Sequence, residues 1–125
     1  MRLLLDTSIL LWATSDSPRL GRDGRRIIKE AEIVFVSAIS LWEIAIKVAA
    51  RKFDVDVDLV AAGVGRAGFV KLPVTWRHSR AVAKLPLHHH DPFDRMLVAQ
   101  AVSEPLHLLT SDRTLGRYGD MILTI

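Results

Sequence analysis

The 125-residue sequence contains no cysteine. That excludes a disulfide scaffold, a thiolate zinc site and a cysteine nucleophile together. No run approaches the roughly 18 apolar residues that a membrane helix needs. The short stretch Leu3 to Leu5, closed by Asp6, has neither the length nor the cleavage site of a signal peptide. A cytoplasmic protein is therefore expected. Internal repeats, low-complexity tracts and an interdomain linker are also missing, so a single domain over residues 1–125 is expected. What is present is 50% hydrophobic and 25% charged, a balance that argues against disorder. A chain of this length buries roughly two-thirds of its unfolded surface without covalent or metal staples. Its 17 basic and 14 acidic residues leave a net charge of +3, which permits an anionic partner such as nucleic acid without requiring one.

The apolar runs Leu3 to Leu5, Ile33 to Val36, Phe69 to Leu72, His107 to Thr110 and Met121 to Leu123 predict five strands. Between them, residues 9–13, 20–32, 40–51, 60–68, 76–85 and 92–103 carry helical patterns. Continuous apolar strands alternating with helices imply an α/β domain with a parallel sheet covered on both faces.

Ligands of open parallel sheets bind beyond the carboxyl ends of the strands. Asp6 closes the first strand, Asp112 comes after the fourth through Thr110 and Ser111, and Glu43 lies early in the helix after the second. Asp94 opens the helix of Asp91-Pro92-Phe93-Asp94. If the strands carrying Asp6 and Asp112 are neighbours, all four acids can reach one pocket. At about 4 Å and an effective dielectric near 20, each like-charged pair costs about 4 kcal/mol. Such a pocket must hold protons or cations. Hard oxygen donors select Mg²⁺ or Mn²⁺ over zinc, and a divalent ion there suits phosphodiester hydrolysis. Plainer readings stand beside this one. Asp91 is a good N-cap before Pro92, Asp94 favours the helix dipole, Asp112 suits a cap for the turn at Arg113, and Glu43 can pair with Lys47.

Leu4-Leu5-Asp6-Thr7-Ser8, Ser37-Ala38-Ile39-Ser40-Leu41-Trp42-Glu43-Ile44, His90-Asp91-Pro92-Phe93-Asp94-Arg95-Met96-Leu97-Val98-Ala99-Gln100-Ala101 and Leu109-Thr110-Ser111-Asp112 together resemble the PIN-domain nucleases. The likeness is greatest to the VapC-type toxins of type II toxin–antitoxin modules, and it spans nearly the whole chain in order and spacing. The resemblance implies a three-layer α/β/α sandwich with a central parallel sheet of about five strands. It also implies Mg²⁺- or Mn²⁺-dependent endoribonuclease activity, inhibition by a VapB-like antitoxin and homodimerisation. By position, Asp6, Glu43, Asp94 and Asp112 are the catalytic, metal-binding quartet. Thr7 or Ser8 would support the first acid, Ser111 would orient the fourth, and Asp91 is auxiliary.

Other signals lead elsewhere. Gly63-Val64-Gly65-Arg66-Ala67-Gly68 spells a dinucleotide fingerprint, but an apparent strand and Pro73 come next where a helix is required, so no nucleotide cofactor is expected. Asp54, Asp56 and Asp58 have calcium-loop spacing, yet Leu59 and Gly65 stand where that loop needs glycine and glutamate. They read as a solvated acidic face on an extended segment. His88, His89 and His90 read as a polar loop, with a smaller prospect that one imidazole meets RNA phosphate. Arg22, Arg25, Arg26 and Lys29 form one basic stripe, and Arg77, Arg80 and Lys84 another; each is either a solvated face or an RNA guide. Trp42 is expected in the core, whereas Trp12 is either core or a docking platform.

Two other classes compete. One is a non-cleaving RNA- or partner-binding regulatory module with a vestigial metal site. The other is a phosphoryl-transfer domain, but Ser8 stands where a phosphatase needs its second acid. The paired first-strand acids and late lysine of a receiver are also missing. No histidine–histidine pair is evident for metal-free cleavage through the 2′-hydroxyl.

Overall fold

The computed structural model describes residues 1–125. Its strands are β1 (Arg2–Leu5), β2 (Ile33–Ser37), β3 (Val70–Leu72), β4 (His107–Thr110) and β5 (Ile122–Thr124). They form one sheet in the order β3-β2-β1-β4-β5, with every pairing parallel. The helices are α1 (Thr7–Thr14), α2 (Gly21–Glu30), α3 (Ala38–Ala49), α4 (Val57–Arg66), α5 (Trp76–Val82) and α6 (Pro92–Ser103). Short 3₁₀ segments at Pro18–Leu20 and Arg113–Tyr118 precede α2 and β5.

Central β1 is covered on both faces, which explains a run of three wholly buried leucines instead of alternation with polar residues. The pleat still divides them. Leu3 and Leu5, with Val34, Val36 and Leu109, pack in one cluster with Ile9 and Leu10 of α1 and Val60 and Val64 of α4. Leu4, with Leu72, Leu108 and Ile122, packs in the other with Leu97, Val98 and Ala101 of α6. The result is the expected three-layer α/β/α sandwich. Each fully buried leucine contributes about 1.5–3 kcal/mol, so the centre of the sheet is a firm platform for the acids carried at the ends of β1 and β4.

One expectation fails locally. The Asp54–Asp58 stretch is not wholly extended: α4 begins at Val57, and the Asp56 side chain caps it by accepting from the backbone N–H groups of Asp58 and Leu59. An N-terminal cap satisfies helix donors that have no other partner, and this outweighs the alternating pattern. The glycine pattern also finds its explanation here. Gly63 and Gly65 are helical, with Gly63 against Thr14, while Gly68 takes φ +75° just past the end of α4. Only glycine adopts that conformation without strain. No helix is long and apolar enough to cross a membrane.

Candidate active site

β1 and β4 are neighbours, so the residues just beyond them emerge side by side at the carboxyl edge of the sheet. Asp6 is the first residue beyond β1. Its backbone N–H donates to Leu109 O at 3.0 Å, and its side chain caps α1 by accepting from Ile9 N at 2.9 Å. The second carboxylate oxygen accepts from the Thr110 hydroxyl. Burial nonetheless pushes the Asp6 carboxyl above its usual range, with the Glu43 and Asp112 charges adding to the rise.

Glu43 projects from the buried side of α3. One oxygen accepts from the Thr7 hydroxyl at 2.6 Å and the other from Lys47 Nζ at 2.6 Å. The pairing with Lys47 is therefore real and sits inside the site. The bond to Glu43, together with the charges of Asp91 and Asp94, raises the Lys47 ammonium above its ordinary value despite some desolvation. Asp91 caps α6, its side chain accepting from Phe93 N at 2.8 Å and Asp94 N at 3.0 Å. That cap fixes the first helical turn and with it Asp94. Asp94 is pushed up to about 7, first by burial, then by the charges of Asp91, Asp6 and Glu43, against a lowering by His89. Asp112 moves the other way. Its Oδ1 accepts from Thr114 Oγ1 at 2.7 Å and Thr114 N at 3.0 Å, and His89 Nε2 lies 2.9 Å from Oδ2. Those bonds hold its carboxyl below the usual range.

The structure thus brings Asp6 within electrostatic reach of Glu43, Asp94 and Asp112, and Asp94 within reach of Glu43 and Asp91, with oxygens of Asp94 and Asp112 inside 4.8 Å of one another. The smaller residues are redistributed. Thr7 serves Glu43 instead of Asp6, and Ser8 is exposed. Ser111 is exposed as well; the hydroxyl that joins the first and fourth acids is that of Thr110, which donates to Asp6 and accepts from Asp112 N at 3.0 Å. A strand threonine points inward or outward by register, and at this end the inward position falls to Thr110, which is wholly buried.

Lys47, expected only as a helical partner of Glu43, and His89, expected as part of a polar loop, both reach the site acids, at 2.6 Å from Glu43 and 2.9 Å from Asp112. For His89 the available signal was its place two residues before the Asp91 cap. Trp42 is corrected from core to surface: it is 59% exposed, because the buried stripe of α3 runs through Ile39, Ser40, Glu43 and Ile44. It meets Phe93 edge-on at 5.6 Å, walling the gap between α3 and α6. Trp12 is half-buried against the core and lines an open cleft with Arg19, Arg22 and Ser111. Of the arginine stripes, Arg25 pairs with Asp16, Arg26 with Asp23 and Glu30, and Arg77 with Glu104, whereas Arg22 and Arg80 have no carboxylate partner. A separate, largely apolar recess is lined by Leu10, Val36, Leu41, Val64 and Leu72, with Ser37 and Lys71 as its polar members.

A parallel α/β/α domain that carries Asp6, Glu43, Asp94 and Asp112 towards the carboxyl edge of its central strands places oxygen donors where open sheets of this kind bind their ligands. The chain belongs to the PIN domain family, whose model matches residues 3–121. Its fold is similar to that of VapBC2 from Rickettsia felis bound to a promoter DNA fragment, with a TM-score of 0.71 and 14% identity, covering 100% of this chain and 98% of that one. It is also similar to DNA-bound VapBC from Salmonella typhimurium, with a TM-score of 0.70 and 17% identity over 99% and 98% of the two chains. A toxin–antitoxin complex from Klebsiella pneumoniae gives 0.67 and 16% over 98% and 96%. No curated protein sequence matches.

Proposed function

We propose that this protein is a Mg²⁺- or Mn²⁺-dependent endoribonuclease and the toxin of a VapBC-type module. The observation that carries the reading is the convergence of the carboxylates, with oxygens of Asp94 and Asp112 within 4.8 Å of one another and Asp6 emerging beside them from the neighbouring strand. In a PIN-family chain, Asp94 is held up at about 7 and Asp6 above its range by burial and one another's neighbours. A divalent cation is what such a set of oxygen donors lacks, so the residues present fit the metal. Asp6, Glu43, Asp94 and Asp112 would hold it. Bound there, the ion would acidify an attacking water and stabilise the leaving oxyanion of an RNA phosphodiester.

The remaining side chains keep those donors in place. Thr110 and the Ile9 N–H orient Asp6, Thr7 and Lys47 orient Glu43, and the Asp91 cap presents Asp94. Thr110 also links Asp6 to the backbone of Asp112, donating to the first and accepting from the second. RNA would track the basic residues Arg22, Arg25, Arg26, Arg77 and Arg80, with unpaired Arg22 and Arg80 free to meet phosphate at once. A VapB-like antitoxin as partner is supported by the VapBC names of the structural neighbours, and a homodimer by the family resemblance. Cytoplasmic action is part of the same proposal.

The test is cleavage of a total cellular RNA pool in Mg²⁺ or Mn²⁺ against EDTA, with Asp94→Asn in parallel. Discrete, metal-dependent products from the wild type alone are expected. Equal cleavage by Asp94→Asn would overturn the assignment. RNA binding unchanged by metal, with no product in Mn²⁺, would favour the non-cleaving module. Light scattering tests the dimer, where a mass of one chain would overturn it.

A further inference from the structure

We propose that His89 is a positioning residue for the metal-binding carboxylates, acting through its Nε2–H on Asp112 and not as a ligand itself. The proposal rests on the nuclease reading for its purpose, but its geometry stands alone. His89 Nδ1 lies 3.1 Å from the backbone nitrogen of Asp91, which can only donate. Nδ1 must therefore present its lone pair. In the neutral ring the single proton then sits on Nε2, and that N–H donates to Asp112 Oδ2 at 2.9 Å.

This assignment decides between two roles. His89 Nε2 and carboxylate oxygens of Asp94 and Asp112 all lie within 4.8 Å of one another, about twice a metal–ligand bond of ~2.1 Å. By distance alone they form a mixed nitrogen–oxygen site that favours transition metals over Mg²⁺. A ligating Nε2 would need its own lone pair, however, and the ring would have to move its proton to Nδ1. There it would face the Asp91 N–H with no acceptor. The Asp91 backbone therefore keeps His89 a donor.

The same short segment links two of the four acids. The Asp91 side chain caps the turn bearing Asp94, while its N–H fixes the ring that holds Asp112. Arg95 ties the segment down, its Nη1 donating to Pro86 O at 3.0 Å and Tyr118 OH at 3.1 Å and its Nη2 to Val82 O at 3.2 Å. Asp112 consequently has both oxygens held, Oδ1 by Thr114 and Oδ2 by His89, and its plane is set before a cation arrives. Groups that orient a ligand in this way typically change metal affinity about 10–100-fold when removed.

Three substitutions separate the roles. Gln places a side-chain N–H near the position of Nε2, Asn only near that of Nδ1, and Ala nowhere. We expect His89→Ala and His89→Asn to weaken Mn²⁺ binding by about tenfold or more in calorimetry, and His89→Gln to recover most of it. The ratio of Mn²⁺ to Mg²⁺ affinity should stay the same in all three, because no ligand is exchanged. Imidazole ¹⁵N spectra of the wild type should show the Nε2–H form of His89 in EDTA and again in Mg²⁺. Wild-type Mn²⁺ affinity in His89→Ala would overturn the proposal. So would a Gln variant as weak as Ala, a selective loss of Mn²⁺ over Mg²⁺, or the Nδ1–H form in the metal-loaded protein. Thermal melts identify any variant that fails to fold, and the ¹⁵N measurement needs no variant. None of these readouts requires cleavage, so absence of RNase activity would count against the nuclease reading and leave this proposal to its own data.

Discussion

The two ends of α6 carry the same device in opposite surroundings. At its start, His89 accepts the Asp91 N–H and donates to Asp112. At its end, His78 of α5 accepts the Thr75 N–H at Nδ1, 3.1 Å away, and its Nε2 lies 2.5 Å from Glu104. Glu104 also receives Arg77 at 3.0 Å, and its carboxyl is held below the usual range, chiefly by the bond to His78. There the one anion, Glu104, has both the His78 ring and the Arg77 cation as partners. At the other end Asp112 is satisfied in the same way, yet Asp6 and Asp94 beside it are driven upward. At the distal joint the carboxyl is held below its usual range, whereas in the pocket burial and neighbouring carboxylates hold those of Asp6 and Asp94 above theirs.

The largest expected effect comes from that contrast. Asp94→Asn should reduce metal-dependent RNA cleavage by at least about a hundredfold, since losing a ligand exceeds the 10–100-fold cost of losing a group that merely orients one. In EDTA the same substitution should stabilise the fold. The Asp94 carboxyl is raised from 3.8 to about 7, so the folded state binds more protons than the unfolded state between those values. Stability of the metal-free wild type should therefore fall as pH rises from about 4 to about 7, by no more than about 4.4 kcal/mol. Asp94→Asn should flatten that slope, as should saturating Mn²⁺. Urea unfolding at several pH values measures it, and identical slopes for the two proteins would remove the contrast between the two ends.

How much of this is legible in the sequence depends on the range of the signal. Leu3 to Leu5 ending in Asp6 declares a buried strand with an acid at its tip, because burial on both faces writes itself into consecutive residues. The Asp91 cap is equally local, needing only Pro92 and the helix behind it. The His89 bond joins residues 23 apart, and the Thr110 bond to Asp6 residues 104 apart. Nothing in a neighbouring sequence position reports such contacts. Ser111 and Thr110 are interchangeable on sequence grounds, since a one-residue shift reverses which side chain points inward. Trp42 misleads for a related reason. Its hydrophobicity suggests burial, but the phase of α3 assigns the inner stripe to Glu43 and Ser40, because the site needs polar groups there.

The next effect breaks the comparison from its distal end. His78→Ala should cost about 2–4 kcal/mol, since it leaves the Thr75 N–H without its acceptor and Glu104 with Arg77 alone, and opens a cavity at a wholly buried position. Gln100, whose Nε2 reaches Pro73 O at 3.3 Å and lies 3.3 Å from His78 Nδ1, would lose a neighbour while its Oε1 already has none. Cleavage per folded molecule and Mn²⁺ affinity should stay within about twofold of wild type, as the joint lies outside the pocket's network of bonds. A large loss of metal affinity would mean that the two ends of α6 are coupled and not merely alike. Because the Glu104 carboxyl is lowered on folding, its contribution should be present at neutral pH and fade as pH drops below its unfolded range near 4.5. That is the opposite direction to Asp94, and Glu104→Gln should remove it.

The smallest expected effect asks whether pairing also sorts the basic residues. Arg25 is engaged by Asp16 at 2.7 Å, while Arg22 has no ionic partner and lines the cleft of Trp12, Arg19 and Ser111, the residue before Asp112. For Arg25 to meet phosphate it must first release Asp16, and an exposed pair of this kind is worth only about 0–1 kcal/mol. Arg22 gives up nothing. Single-stranded RNA binding measured across a salt series should therefore show a slope reduced by about 1 for Arg22→Gln, with a several-fold loss of affinity. For Arg25→Gln the change in slope should be less than about half of that. Equal changes would show that the surface pairs are too weak to discriminate between the two arginines, and would restore the whole stripe from Arg22 to Lys29 as one guide for RNA.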